Sequence, residues 1–136
     1  MMLDGIRVVE LSLFLVGPRA GAHLADMGAH VIKIEHPQGG DPMRTTTTNR
    51  GALPPMKDIN FMFELENRGK KSITLDVGKE KGQEVAHRLV QQADVFISNF
   101  QVPVLKRLKM DYETLSAINT RLVYALCTGW CMKGPD

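Results

Sequence analysis

The sequence predicts an α/β domain built on an open, mainly parallel sheet with helices on both faces. Three observations carry this expectation. Short β-branched apolar runs recur along the chain, helix-period segments separate them, and the first two runs flank a helix in a strand–helix–strand unit, whose strands are expected to be parallel.

Ile6 to Leu11, with Val8 and Val9, is expected to form a buried strand. Pro18 is placed to begin a helix whose apolar stripe is Ala20, Leu24 and Met27, with Gly28 as its stop. His30 to Glu35 follows as a second strand. From His36 to about Asn60 the chain reads as irregular, holding Gly39-Gly40, Pro42, the threonines Thr45 to Thr48, Gly51 and Pro54-Pro55. Loops this long inside a domain are usually functional or mobile. The rhythm then resumes: a strand over Ser72 to Val77, a helix over Glu80 to Gln92, and a buried strand over Val95 to Ile97. A short helix over Pro103 to Leu108, a helix capped by Asp111 and running to Ile118, and a strand over Leu122 to Leu126 complete the series. In open parallel sheets, ligands bind beyond the carboxyl ends of the strands. Ser12 to Gly17, Glu35 to Asp41 and Ser98 to Gln101 meet that condition.

Composition narrows the function classes. With 136 residues, 43% hydrophobic and 24% charged, the chain has the make-up of a globular domain. A net charge of +2 is too small to argue for nucleic acid or an anionic membrane, so neither is expected as partner, and any basic recognition must be local. Asp4, Arg7 and Glu10 break up the N-terminal apolar positions, so neither a signal peptide nor a spanning helix is expected, and the expected compartment is the cytoplasm. Cys127 and Cys131 lack the spacing and companions of a zinc site and are expected to be reduced thiols, so no metal is expected.

Glu35 at the end of the second strand invites a dinucleotide reading, but the preceding loop, Ser12-Leu13-Phe14-Leu15-Val16-Gly17-Pro18, has one glycine where three are needed. NAD and FAD are therefore not expected, and no P-loop motif is present. The bulky loop suits an adenine ring, a pantetheine arm or an acyl chain better than a pyrophosphate.

The run GIRVVELSLFLVGPRAGAHLADMGAHVIKIEHPQGGDPMR, residues 5 to 44, resembles the opening of the class III CoA-transferases, a family that also includes alpha-methylacyl-CoA racemase. NRGKKSITLDV (Asn67 to Val77), ADVFISNF (Ala93 to Phe100), VLKRL (Val104 to Leu108) and INTRLVYALCTGW (Ile118 to Trp130) continue the resemblance in order. It implies a Rossmann-like fold, of which residues 1–136 are the N-terminal part of the large CoA-binding domain, with the smaller second domain and a C-terminal return segment lying elsewhere. It also implies coenzyme A or an acyl-CoA as substrate, a carboxylic acid as co-substrate, and an interlocked homodimer. The family's reaction proceeds through attack of an aspartate on the thioester, a mixed anhydride and an enzyme-bound CoA thioester. The nucleophile is expected downstream of Thr128-Gly129-Trp130, so no catalytic residue is assigned within the chain and Asp136 is not given that role. Racemases instead move the proton alpha to the thioester carbonyl with a histidine and an aspartate. A non-catalytic CoA- or nucleotide-binding module is the alternative of another class. Cys131-Met132 departs from the family's usual glycine and polar residue at that point.

Carried over position by position, the resemblance assigns coenzyme A contacts to Leu15, Val16, His36, Leu75, Val77, Gly78, Asn99, Phe100, Gln101 and Arg107. The chemistry is coherent, since phosphates favour arginine and adenine stacks on flat side chains. The bland alternatives stay open. Phe100 suits a core position equally, Asn99 a strand-end turn, Arg107 with Lys106 and Lys109 a solvated helix face, and Arg68 with Lys70-Lys71 a basic turn. His23 and His87, within helices, carry no expected chemistry.

Overall fold

Strands buried on both faces need apolar runs, and the central strands supply them at Val8-Val9, Val31-Ile32 and Phe96-Ile97, interrupted by Glu10 and Lys33. The computed structural model describes residues 1–45 and 60–129. The strands are β1 (Arg7–Leu11), β2 (His30–Glu35), β3 (Lys71–Thr74), β4 (Val95–Ser98) and β5 (Val123–Leu126). All pair in parallel, in the order β3-β2-β1-β4-β5. The order reverses between β1 and β4, so the loops that follow these two strands diverge and leave a crevice at their carboxyl ends.

The helices are α1 (Val16–Asp26), α2 (Phe61–Asn67), α3 (Glu80–Gln91), α4 (Val102–Arg107) and α5 (Tyr112–Ile118). Strand alternation sends Val9, Leu11 and Ile34 to one face, where they form a core with Ala86, Val90, Leu105, Met110 and Leu115 of the α3–α5 layer. Val8, Val31 and Ile97 face the other way and pack with Leu24 and Ala25 of α1. Helices on both faces of a parallel sheet therefore hold as expected.

Several boundaries differ from the sequence reading, each for a local reason. Helix α1 begins at Val16 rather than Pro18, because the first-turn N–H groups have no partner within the helix and proline loses nothing there. Strand β3 stops at Thr74 instead of Val77, since β2 ends at Glu35; the last rung is the Leu75 N–H donated to the Glu35 carbonyl at 2.9 Å. Helix α2 lies where no element was expected. Asn60 caps it, its side chain accepting from the Phe63 N–H at 3.1 Å. A 3-10 turn over Pro42–Arg44, capped by Asp41, orders the start of the segment read as irregular. The rest of that segment, including Thr46 to Thr48, Gly51 and Pro54-Pro55, lies outside the described residues, as do Trp130, Cys131, Met132 and residues 133–136. Asp111 caps α5 as expected, accepting from the Thr114 N–H at 3.1 Å.

Helix α1 packs directly against Ser12 and Glu10 at two positions that lack side chains, Gly17 and Gly21. A Cβ at Gly17 would lie 2.5 Å from the Ser12 Cβ, and one at Gly21 would lie 2.1 Å from Glu10 Oε2. Glu10 is fully buried and cannot swing away. Gly21→Ala is expected to destabilise the fold by about 1–3 kcal/mol and lower the melting temperature by several degrees. At Gly129 nothing lies within 4 Å of an added Cβ, and Gly129→Ala should melt like the unaltered protein. Thermal denaturation followed by circular dichroism measures both.

Among the described residues β5 pairs only with β4, and its Val123 is 61% exposed. Open apolar strand edges template association. The isolated 136-residue chain is expected to self-associate in sedimentation velocity, and Val123→Lys to reduce this. A monodisperse monomer at high concentration would contradict it.

Candidate functional site

The carboxyl ends of β1, β4 and β5 enclose a cavity of about 410 Å³ lined by Val16, Asn99, Phe100, Gln101 and residues Cys127 to Gly129. It lies at the point where the strand order reverses. A second depression of about 270 Å³ opens at the ends of β2 and β3, between Glu35, His36, Gly39, Arg44 and Thr74. A larger cleft, about 690 Å³, lies under α3 at the opposite, amino ends of the strands, rimmed by Arg7, His30, Lys71 and Arg88. Size alone would favour that cleft, but strand polarity places the ligand end of such a sheet on the other side.

The loop between β1 and α1 is built of bulky residues, yet it is held in a defined shape. Phe14 has φ 64°, the left-handed region that costs a non-glycine residue about 1–3 kcal/mol. The strain persists because side chains from other segments hold the loop's main chain. The Leu13 N–H donates to Asn99 Oδ1 at 2.9 Å, and Asn99 Nδ2 donates to the Leu13 carbonyl at 2.7 Å. The Phe14 N–H donates to Asp41 Oδ1 at 3.2 Å. Phe14, Leu15 and Val16 are consequently presented to solvent, 47%, 40% and 66% exposed.

Beneath this loop lies a buried charge cluster. Lys33 Nζ contacts Glu10 Oε1 at 2.9 Å and Asp41 Oδ2 at 3.0 Å, and donates to the Ser12 carbonyl at 2.8 Å. Lys70 Nζ reaches Glu10 Oε2 at 2.7 Å and the Pro18 carbonyl at 2.7 Å. Glu10 Oε2 and Asp41 Oδ2 meet these ammoniums as ion pairs rather than as aligned hydrogen bonds. Burial pulls the Lys70 pKa below its ordinary value, and Glu10 opposes the shift. The turn at Arg68 and Gly69 is present, but Lys70 is spent inside the protein and Arg68 pairs with Asp26.

Around the second depression, Glu35 is buried and accepts from Arg44 Nε at 2.7 Å, Arg44 Nη2 at 2.8 Å, Ser72 Oγ at 2.7 Å and the Asp41 N–H at 3.1 Å. The Arg44 hydrogen bond leads in holding its pKa down at about 2; the Ser72 and Asp41 bonds assist, and burial opposes. Gly40, at φ 67°, admits the close approach, since a Cβ there would lie 2.6 Å from Glu35 Oε2. The Arg44 guanidinium also stacks over Phe63, 4.0 Å from the ring centre, which ties the loop to α2.

The residues expected at the site separate into groups. Val16, Asn99, Phe100 and Gln101 converge on the first cavity, and His36 lines the second. Phe100 does double duty, since it also packs against the core. Leu15 is exposed on the loop. Leu75 is half-buried against the core and Gly78 is exposed, its N–H donating to Asp76 Oδ1 at 3.0 Å. The Val77 side chain is a core residue, and its carbonyl accepts from Gln83 Nε2 at 3.1 Å. Arg107 is exposed at the end of α4, roughly 9 Å along the helix from Gln101 at 1.5 Å per residue. His36 is exposed, with Nε2 3.7 Å from Asp76. His87 Nε2 lies 2.8 Å from the Lys109 carbonyl.

Sequence reasoning missed the parts supplied by burial. Cys127 and Thr128 line the first cavity, and the strand-end rule applied to β5 would have named them. Burial and the nearby Glu10 push the Cys127 thiol pKa up, so it is not a poised thiolate. Glu10 and Lys33, charges set within otherwise apolar strands, were a visible sign of a buried pair. Asp41 carried no such sign.

With this geometry in hand, comparison with known proteins is decisive: the sequence profile of CoA-transferase family III matches residues 3–136. The chain belongs to this family. A cinnamoyl-CoA:phenyllactate CoA-transferase from Clostridium sporogenes is 42% identical over 99% of the chain and 32% of that protein. A succinate–glutarate CoA-transferase from Agrobacterium fabrum is 42% identical over 98% of the chain and 34% of that protein. The chain thus spans about a third of the length of these family III relatives. A crystal structure of a CAIB/BAIF family protein from Brucella suis superposes with a TM-score of 0.85, at 44% identity, over 97% of the chain and 34% of that structure.

Glu35 yields a pH prediction. Its folded-state pKa is depressed from 4.5 to about 2, so its contribution to stability is fully present above pH 4.5 and is lost as pH falls toward 2. Glu35→Gln should lower stability at neutral pH and flatten the stability profile across that window. Urea denaturation at a series of pH values is the check.

Proposed function

We propose that this chain is the coenzyme A-binding part of an acyl-CoA:carboxylate CoA-transferase, and that the intact protein exchanges CoA between an acyl-CoA and a free carboxylic acid. The observation that carries the reading is the convergence of Val16, Asn99, Phe100 and Gln101 on one cavity at the reversal point of the sheet, in a family III chain. Phe100 offers a face for the adenine or the pantetheine arm. Arg107, exposed at the far end of α4, offers a guanidinium for a phosphate. Leu15 and Val16 supply apolar surface, and His36, Leu75 and Gly78 stand at the ends of β2 and β3. The side chains of Asn99 and Val77 are committed to the protein itself, so any ligand contact they make runs through the main chain or through the residues they support.

Family chemistry needs a carboxylate nucleophile that attacks the thioester carbonyl, with CoA thiolate leaving to re-attack the resulting anhydride. In our reading that aspartate, the smaller domain and the return segment that completes an interlocked homodimer are contributed by polypeptide beyond residue 136. Among the described residues the outer edge of β5 has no partner strand, and such a return segment would supply one. The cytoplasm and independence from metal or nicotinamide and flavin cofactors belong to the same proposal. Its support is in the sequence: the single-glycine loop, the spacing of Cys127 and Cys131, and the charges that interrupt the N-terminal apolar positions.

Titration calorimetry of the intact protein with coenzyme A should show binding that Arg107→Ala weakens about tenfold, with the loss shrinking at high salt. No heat at millimolar coenzyme A would overturn the assignment. Transfer of labelled coenzyme A to free acids is expected; solvent proton exchange alpha to the thioester carbonyl without transfer would identify a racemase instead.

A further inference from the structure

Three consecutive residues after β1 have their main-chain polar atoms taken by side chains from three other places in the chain. The Ser12 carbonyl accepts from Lys33 of β2 at 2.8 Å. Leu13 gives its N–H to Asn99 and receives the Asn99 amide on its carbonyl, at 2.9 and 2.7 Å. Phe14, at φ 64°, gives its N–H to Asp41 at 3.2 Å. Asp41 is fully buried; its Oδ1 also accepts from the Met43 N–H at 2.9 Å, and its Oδ2 faces Lys33 at 3.0 Å. The loop is thus gripped from the β2 side and the β4 side at once, and its left-handed residue is imposed by this grip rather than by sequence preference.

We propose that Asn99 and Asp41 are positioning residues for the acyl-CoA: they set the main chain at Leu13 and Phe14 so that Leu15 and Val16 are displayed at the strand ends before ligand arrives. This rests on the functional reading above. Both polar ends of the Asn99 side chain are engaged by Leu13, which makes it a brace for the loop rather than a hydrogen-bonding partner of the ligand. Asp41 links the brace to the second loop, because the same carboxylate caps the 3-10 turn that carries Arg44. Preorganisation of this kind appears in affinity, since the ordering cost is met during folding instead of at binding.

The test uses the intact protein and two readouts. In the Asn99→Ala variant without ligand, hydrogen exchange at the Leu13 and Phe14 amides should quicken about tenfold, because their protection comes from the clamp. The KM for acyl-CoA should rise about tenfold, with kcat within about threefold of the unaltered enzyme. Asn99→Asp keeps the acceptor for the Leu13 N–H and should recover part of both effects; should Asn99→Ala fail to fold, this variant carries the test, with smaller changes of the same sign. Unchanged exchange in the ligand-free variant, or an unchanged KM, would overturn the clamp. Absence of coenzyme A binding by the unaltered protein would overturn the functional reading instead, so the two failures are distinguishable.

Discussion

Two carboxylates and two ammoniums, Glu10, Asp41, Lys33 and Lys70, are sealed between the sheet and α1, and the geometry of the ligand end depends on them. Taking these charges out of water is expensive, and the cluster is tolerable only because acids and bases are equal in number and in direct contact. Removing one partner would strand a buried charge, which typically costs about 3–5 kcal/mol. Apolar residues could fill the same volume, but they could not hold main-chain groups. Lys33 holds the Ser12 carbonyl, Lys70 the Pro18 carbonyl and Asp41 the Phe14 N–H. The cluster therefore anchors the end of β1 and the start of α1 at defined points.

The cluster also explains the glycines of α1. Gly17 and Gly21 stand one turn apart on the helix face that lies over Ser12 and Glu10, where any side chain would collide. Close approach of the helix shields the charges from water and strengthens their attraction. Arg19, on the same helix, pairs through Nε with the buried Glu66 of α2, 3.0 Å from its Oε2. Glu66 holds the Arg19 pKa above its ordinary value through hydrogen bonding and charge. Helices α1 and α2 are thereby locked over the same half of the sheet.

On the opposite face the logic is ordinary packing. Phe96 is fully buried against the α3–α5 layer and tilted against Tyr124, with ring centres 5.2 Å apart. The Tyr124 hydroxyl donates to the Met110 carbonyl at 2.9 Å, and its pKa is pushed up to about 12 by burial, then by Asp111 and Glu113. One face of the sheet thus supplies the apolar core, while the other combines a smaller core with the polar machinery that shapes the site. The asymmetry follows from strand alternation, which sends Val9 and Leu11 one way and Glu10 and Ser12 the other.

The sequence by itself determined the strand and helix series, the parallel sheet with helices on both faces, the three strand ends where a ligand could sit, and the family. Those features rest on local signals such as the β-branched runs at Val8-Val9 and Val31-Ile32, the Asp111 cap and the Gly28 stop, each legible without knowing what lies across the fold. Helix α2 escaped because its Asn60 cap follows a stretch rich in proline and glycine that masks the signal. Only the tertiary structure decided that Lys70 is a buried counterion instead of a basic surface group, that Asn99 braces Leu13, and that Asp41 ties two loops together. These pairings join residues up to 86 positions apart. Burial and long-range hydrogen bonding arise from how elements meet in space, and the residues that take part look locally like any other turn or surface residue. The loop after β1 shows the division best: the sequence marked it as a candidate for ligand contact, and the fold supplied the contacts that hold its strained shape.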